Sequence, residues 1–427
     1  MWQNGRIKDL PIKIIDGDRS HRYPKVEEFQ KEGIIFLNST IIKDNRLDYE
    51  NANFISNETF DKLSKGKLKL KDIVLTTRGN GIGKVVLFNN PKYQTGFINA
   101  QMLIFRPDAH LLDPVFLYYF FCGENFQRNA KNFATGSAQP QLPIQNLNNI
   151  EIFYPIHSNQ QKIAAILSAY DDLIQNNTQR IRILEEMAQA IYQEWFVNFR
   201  YPGHEGVRMV ESEPGPMPEG WEVRKVSEVC EKIYSGGTPN TKIPEYWNGD
   251  IPWLSSGETR NRYIISTEKS ITSEGVSNSS TRLVKAGITV IASAGQGQTR
   301  GQTSLLMIDS YINQSVLALI ADEKRISDLY LFFDLSGRYP ELRQISDSNA
   351  SRGSLTTKSF ADMKIIIPPK LLVENFTKII SNHVSLIMKI TYKNANLRST
   401  RDLLLPKLIS GELDVSELDI RIPEAEA

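Results

Sequence analysis

Two glycine-rich runs invite a search for phosphate chemistry: G-N-G-I-G-K at 79–84 and G-Q-G-Q-T-R-G at 295–301. A nucleotide-binding loop needs G-x-x-x-x-G-K-[ST], in which backbone amides cradle phosphate and a hydroxyl holds magnesium. The spacing here differs, and Val85 follows Lys84. The second run also lacks the spacing of a dinucleotide fingerprint. Both runs do carry donors: Arg78, Asn80 and Lys84 in and beside the first, and Gln296, Gln298 and Arg300 in the second. Glycine lets backbone approach a phosphate or a groove, Arg pairs with guanine, and Asn or Gln pairs with adenine. A solvated hairpin turn is the alternative reading of each run.

Other polar runs offer the same chemistry. Asp16-Gly17-Asp18-Arg19 continues into His21-Arg22-Tyr23 and Lys25, where Arg19, His21, Arg22 and Lys25 are donors for phosphates or base edges. Asp16 and Asp18 would repel phosphate unless they pair with these cations or face a cytosine amino group. A loop at 135–141 carries Gln139 and Gln141, and a corresponding loop at 348–358 carries Arg352, Thr356 and Lys358. Thr238, Asn240 and Lys242 form another candidate loop, and Ser255 and Ser256 follow Trp253. Trp247 and Trp253 read as core. A surface turn closed by internal salt bridges is the competing account of such runs.

No residue set suggests catalysis. His21, His110, His157, His204 and His383 form neither a metal nor a triad pattern, and His204–Glu205 lacks the second His of a zinc helix. The chain contains no N-P-P-[YF] tetrapeptide of the kind an amino-methyltransferase carries. Two distant cysteines, Cys122 and Cys230, exclude a disulfide framework and point to a reducing cytoplasm.

The elements that must position these loops occur twice. W-Q-N-G-R-I-K-D-L at Trp2 matches W-E-V-R-K-V-S-E-V at Trp221, an offset of 219. G-I-I-F-L-N-S (33–39) matches D-I-P-W-L-S-S (250–256), and the strand-like run around Ile73 matches that around Ile288. I-N-A-Q at Asn99 matches I-N-Q-S at Asn313, and N-I-E-I-F-Y-P (149–155) matches D-M-K-I-I-I-P (362–368), an offset of 213. Small loop differences between two copies of one fold would make the offset drift in this way.

Each copy runs into a long helical pattern. Ile163, Ile166, Tyr170, Leu173, Leu184, Met187 and Ile191 repeat every seven residues, with Asn177 and Arg180 as polar interruptions and Ile174 and Ile181 widening the stripe. In the second copy the stripe is Phe376, Ile379, His383, Leu386, Leu397, Thr400 and Leu404, widened by Ile380 and Ile387, with Pro406 and Gly411 expected to end the helix. Antiparallel pairing of two such helices would place the globular modules at opposite ends of a spacer roughly 50 Å long. A helical hairpin serving only as core or dimerisation surface is the plainer alternative.

Charge adds a weak bias. Residues 1–155 hold 20 Lys and Arg against 16 Asp and Glu, residues 220–369 hold 17 against 16, and the whole chain carries +1. That is compatible with DNA if a more basic partner helps. No segment approaches the roughly 18 apolar residues of a membrane span.

Several motifs resemble one family. I-I-D-G-D-R-S-H-R-Y-P-K (14–25) looks like the opening of a target-recognition domain, and G-G-T-P-N-T-K (236–242) with Y-W-N-G-D-I-P-W-L-S-S-G-E (246–258) looks like another. W-F-V-N-F-R-Y-P-G (195–203) leading to P-E-G-W-E-V (218–223) resembles the central junction, and L-L-P-K-L-I-S-G-E-L-D-V (404–415) resembles the end of the distal helix. Together they resemble the specificity (S) subunit of type I restriction-modification systems. That resemblance implies an α+β fold of two pseudo-repeated target-recognition domains joined by two long antiparallel helices. The boundaries expected are 1–155 for the first domain, 156–200 for the central helix, 201–219 for a linker, 220–369 for the second domain, 370–411 for the distal helix and 412–427 for an acidic tail.

The resemblance further implies a non-catalytic subunit that reads a bipartite, asymmetric double-stranded DNA site. Its partners would be two methyltransferase (M) subunits and restriction (R) subunits. It implies no cofactor in this chain, S-adenosylmethionine in the M subunits, and ATP with Mg in the R subunits. Trp195 and Phe196, at the helix end, are candidates for partner binding, with internal packing as the alternative. The rival expectations are a coiled-coil scaffold without sequence readout, or an enzyme with an unrecognised site.

Overall fold

The computed structural model describes residues 2–136, 140–295, 297–348 and 354–422. It divides into two compact units: residues 1–175 with 396–427, and residues 176–395. Each unit contains one globular module and a portion of each long helix.

In the first unit, Ile12–Asp16, Met102–Pro107, Asp72–Thr76 and Val85–Phe88 lie side by side in that order as an antiparallel sheet. Asp72–Thr76 is buried throughout, so its apolar run Ile73-Val74-Leu75 serves both faces. One face meets the helix Pro114–Cys122, which Asp113 caps by accepting from the Val115 and Phe116 amides. The other face meets a smaller sheet in the order Asn53–Ile55, Ile34–Leu37, Gly96–Ile98, the last pair parallel.

The second unit repeats the topology. Cys230–Ser235, Val316–Ala321, Thr289–Ala292 and Thr303–Leu306 follow the same order, extended by Tyr263–Ile264. Its smaller sheet again has a central strand, Trp247–Leu254, parallel to Ser310–Ile312. In both units the first strand closes on the last: Trp2–Arg6 with Glu151–Pro155, and Glu222–Lys225 with Lys364–Ile367. The internal repeat is therefore a repeat of the fold.

The central helix runs from His157 to Tyr192 and ends in a π-helical turn, Gln193–Val197; the distal helix runs from Lys370 to Ser410. Within each unit they are antiparallel. In the first, Ile163, Ala164 and Leu167 share a core with Leu408 and Ile409. In the second, Ala188 and Tyr192 share a core with Phe376 and Ile380. Among the described residues, no helix is long and apolar enough to cross a membrane.

The packed seam follows the expected stripe only in part: Ile163, Ile174, Asn177, Phe376, Ile380 and Ile387 are buried as expected. Leu173, Met187, Leu386, Arg180 and Thr400, all on that stripe, are exposed, while Leu167 and Ala188, off it, are buried. A one-residue shift turns a helix by about 100°, and both candidate stripes are apolar enough to pass. Ala188 suits the seam because its small side chain leaves room for the bulky rings around it. Pro406 does not end the distal helix either, since it lies inside it. A proline there removes one amide donor, and burial of Leu408 and Ile409 holds the last turn in place. Gly411, at φ +77°, makes the stop.

Candidate functional site

In the first unit the opening loop is organised by Asp18, which is 3% exposed. It accepts hydrogen bonds from the Ser20 amide (2.8 Å), the Ser64 amide (2.9 Å) and Ser64 Oγ (3.1 Å). Burial pushes its pKa up, but these bonds from Ser20 and Ser64 outweigh burial and hold it far below the usual carboxylate range. Asp16 pairs with Arg19 at 3.1 Å, so neither acid is left to face phosphate alone. Arg19 also donates to the Ala100 carbonyl at 3.3 Å, and Arg22 donates to the Lys62 carbonyl at 3.4 Å. His21 and Lys25 are exposed.

The turn Asn99–Gln101 joins this loop to the glycine-rich one. A Cβ on Gly17 would lie 2.7 Å from the Asn99 carbonyl, so only glycine lets the chains approach so closely. The Thr77 amide donates to the Gln101 carbonyl at 2.8 Å, and the Leu142 amide donates to the Thr77 carbonyl at 2.8 Å. Arg78 and Gln141 face each other across an isolated bridge, and the Gly79 amide donates to the Pro140 carbonyl. Four polar segments distant in sequence thus form one cluster at one end of the sheet. Asn80 is exposed on it and Arg78 is half-buried. Lys84 is exposed, yet its ammonium donates to the carbonyls of Ser39 (2.8 Å) and Ile42 (3.1 Å), which ties down the loop.

The second unit repeats this wiring with other side chains. The Ser293 amide donates to the Ser315 carbonyl, and the Leu355 amide donates to the Ser293 carbonyl, both at 2.8 Å. The opening loop packs against the turn 313–315: a Cβ on Gly236 would overlap the Ile312 carbonyl, and Thr238 Oγ1 donates to Gln314 Oε1. Trp253 is buried and donates to the Gly237 carbonyl; Trp247 stacks edge-on against it and donates to the Asn240 carbonyl. Asn240, Lys242, Gln298 and Lys358 are exposed.

Several candidates have internal partners. Arg300 pairs with Asp347 at 2.9 Å and its side chain is 18% exposed. Ser255 donates to Glu258 Oε1 and caps the turn 256–260, where the Ser256 main-chain carbonyl accepts from Thr259 Oγ1. Thr356 caps the helix Thr357–Ala361. Gln139, Gln296 and Arg352 lie outside the described residues.

Phe196 corrects an expectation. It is 3% exposed, with ring centroids at 4.9 Å from Tyr330 and 5.0 Å from Phe376, so it belongs to the core of the second unit rather than to a partner surface. It lies in the π-helical turn Gln193–Val197 that ends the central helix. Trp195, half-buried, packs on Phe376.

Two exposed glutamines, Gln101 in the first cluster and Gln314 in the second, are not among the residues expected from the sequence. Their signal was present: each follows an asparagine in a turn that recurs in both copies.

The chain is similar along most of its length to proteins of one kind. It is 22% identical to the HindI specificity subunit of Haemophilus influenzae, over 96% of this chain and 99% of that one. It is 26% identical to the MjaIX specificity subunit of Methanocaldococcus jannaschii, over 82% and 79%. Its fold matches the crystal structure of a type I restriction-modification S subunit from M. genitalium, with TM-score 0.63, 17% identity and 96% coverage of each chain. The model of the type I restriction modification DNA specificity domain matches residues 1–186 and 218–395, and on that coverage this chain belongs to the family of type I restriction-modification specificity proteins.

Proposed function

We propose that this chain is the sequence-reading subunit of a type I restriction-modification complex. Each unit reads one half of a bipartite DNA site. The observation that carries this reading is the shared backbone wiring of the two loop clusters, which presents different side chains in each: Asn80, Gln101 and His21 in one, Asn240, Gln298 and Gln314 in the other. A common frame with unlike exposed donors suits a site with unlike halves, because base edges are told apart by donor and acceptor pattern.

In this reading the chain does no chemistry. Its long helices set the gap between half-sites and carry two M subunits, which hold S-adenosylmethionine. R subunits, using ATP and Mg, join that assembly. Work on cytoplasmic DNA fits the two unbridged cysteines. The near-neutral charge of the chain fits an affinity shared with partner subunits.

The test is single-molecule methylation mapping of DNA from cells that co-express the chain with its cognate methyltransferase subunit. A new methylated motif with two unlike halves and a fixed gap is the expected result. A soluble complex with active methyltransferase and no motif would overturn the reading in favour of a scaffold.

A further inference from the structure

Between Lys62 and Lys71 the chain reads K-L-S-K-G-K-L-K-L-K, five lysines in ten residues with no acid among them. The segment runs along the edge of the smaller sheet of the first unit. The Ile98 amide donates to the Gly66 carbonyl (3.0 Å) and the Leu68 amide to the Gly96 carbonyl (2.8 Å). Leu68 is buried, Lys65, Lys69 and Lys71 are exposed, and the ammonium of Lys67 lies 4.6 Å from the Phe60 ring centroid.

The 62–66 end of this lysine ridge is fastened to the opening loop. Ser64 donates twice to Asp18, Arg22 donates to the Lys62 carbonyl, and a Cβ on Gly66 would lie 3.3 Å from the Gly17 Cα. Most nearby acids are already engaged. Asp16 pairs with Arg19, Glu58 with Lys62, and buried Asp72 with Arg106 at 2.6 Å; Asp18 is buried among its donors. Asp61 is exposed beside the ridge.

Lysines also protect sheet edges from pairing with other chains. Here the outer backbone groups are already taken. The Lys67 carbonyl accepts from Arg106, the Lys69 amide donates to the Asp72 carboxylate, and the Lys69 carbonyl accepts from the Asp72 amide. Edge protection therefore leaves the charge unexplained. Among the described residues the second unit has no equivalent ridge: its strand Arg282–Val284, beside Ser310–Ile312, carries Arg282 over the Tyr234 ring, and the adjoining Lys285 is paired with Asp309.

We propose that Lys65, Lys69 and Lys71 form a phosphate-gripping ridge, present in the first unit only, that holds the backbone of double-stranded DNA beside the bases met by the opening loop. The proposal rests on the DNA-reading function above. It makes the first unit the main source of salt-dependent affinity and leaves sequence discrimination to both.

The experiment measures DNA affinity against salt for the full chain in complex with its methyltransferase subunit. The variant carries Lys65→Gln, Lys69→Gln and Lys71→Gln; Lys67 is kept because its ammonium already lies over the Phe60 ring. Each lost phosphate contact should make the slope of log K against log salt shallower by about 0.9, so a change of about 2–3 is expected. Target and unrelated duplexes should weaken by the same factor, the methylated motif should stay as it is, and the triple arginine variant should keep the wild-type slope. An unchanged slope in a glutamine variant that melts like wild type would overturn the ridge. Loss of methyltransferase association with the slope preserved would also overturn it, assigning the surface to a protein. If the triple variant does not fold, the single variants Lys65→Gln and Lys69→Gln should each shift the slope by about 0.9. Failure of the function itself would look different, as a wild-type complex with no preferred motif.

Discussion

Asn177 Nδ2 donates to Asn394 Oδ1 at 2.9 Å across the two antiparallel helices, and each residue is 2% exposed. Asn394 donates in turn to Thr178 Oγ1 at 3.3 Å. A buried amide pair in an otherwise apolar seam specifies one register, because sliding either helix would leave an amide facing hydrocarbon.

Asn177→Leu should destabilise the second unit by about 1–3 kcal/mol, the cost of stranding a buried amide. The double variant with Asn394→Leu should cost less than the sum of the two single changes. Urea denaturation of the four proteins in the cycle gives the coupling, and additive losses would show that the pair does not act as one.

In the first unit, Asp171 collects three donors: Tyr119 Oη at 2.7 Å, Arg46 at 2.9 Å and Arg401 at 2.5 Å. It ties the central helix to the distal helix and to the Arg46–Leu47 strand of the module. Asp171→Ala strands two part-buried cations and a phenol and should cost about 2–4 kcal/mol. Arg401→Ala leaves Asp171 with two donors and should cost less. Thermal melting that ranks them the other way would contradict this account.

Burial raises the Asp328 pKa to about 6, more than its bond from the Ala321 amide lowers it. A carboxyl raised in the folded state binds its proton more tightly there than when unfolded. Its contribution is thus fully present below the unfolded pKa near 4 and is lost as pH rises through about 6. Asp328→Asn keeps an acceptor and never charges, so it should match wild type near pH 4 and melt higher at pH 7.5. Melting curves across this range that stay parallel would refute the assignment.

Gln101 and Gln314 are exposed at equivalent turns of the two clusters. Gln101→Ala should relax one half of the methylated motif and Gln314→Ala the other, each by about 1–3 kcal/mol of base discrimination if the glutamine contacts a base. Lys84→Met should destabilise its loop and leave the motif unaltered, since the Lys84 ammonium is bonded to Ser39 and Ile42. Methylation mapping of each variant reads all three.

Much of this protein was legible in the sequence. The drifting offset between Trp2 and Trp221 marked two copies of one fold, because paired strands preserve their apolar alternation whatever their loops do. The long glycine-free heptads marked the helices, because only a helix presents residues at that spacing on one side. Which side faces inward was a tertiary decision: Leu173 and Leu167 are equally apolar, and only the neighbouring helix distinguishes them. The same holds for the donors. Lys84 and Lys65 are alike as sequence and both exposed, yet two carbonyls hold the ammonium of the first. Residue type sets what a side chain can bond to, but the chain segments brought around it set which of those bonds are already made.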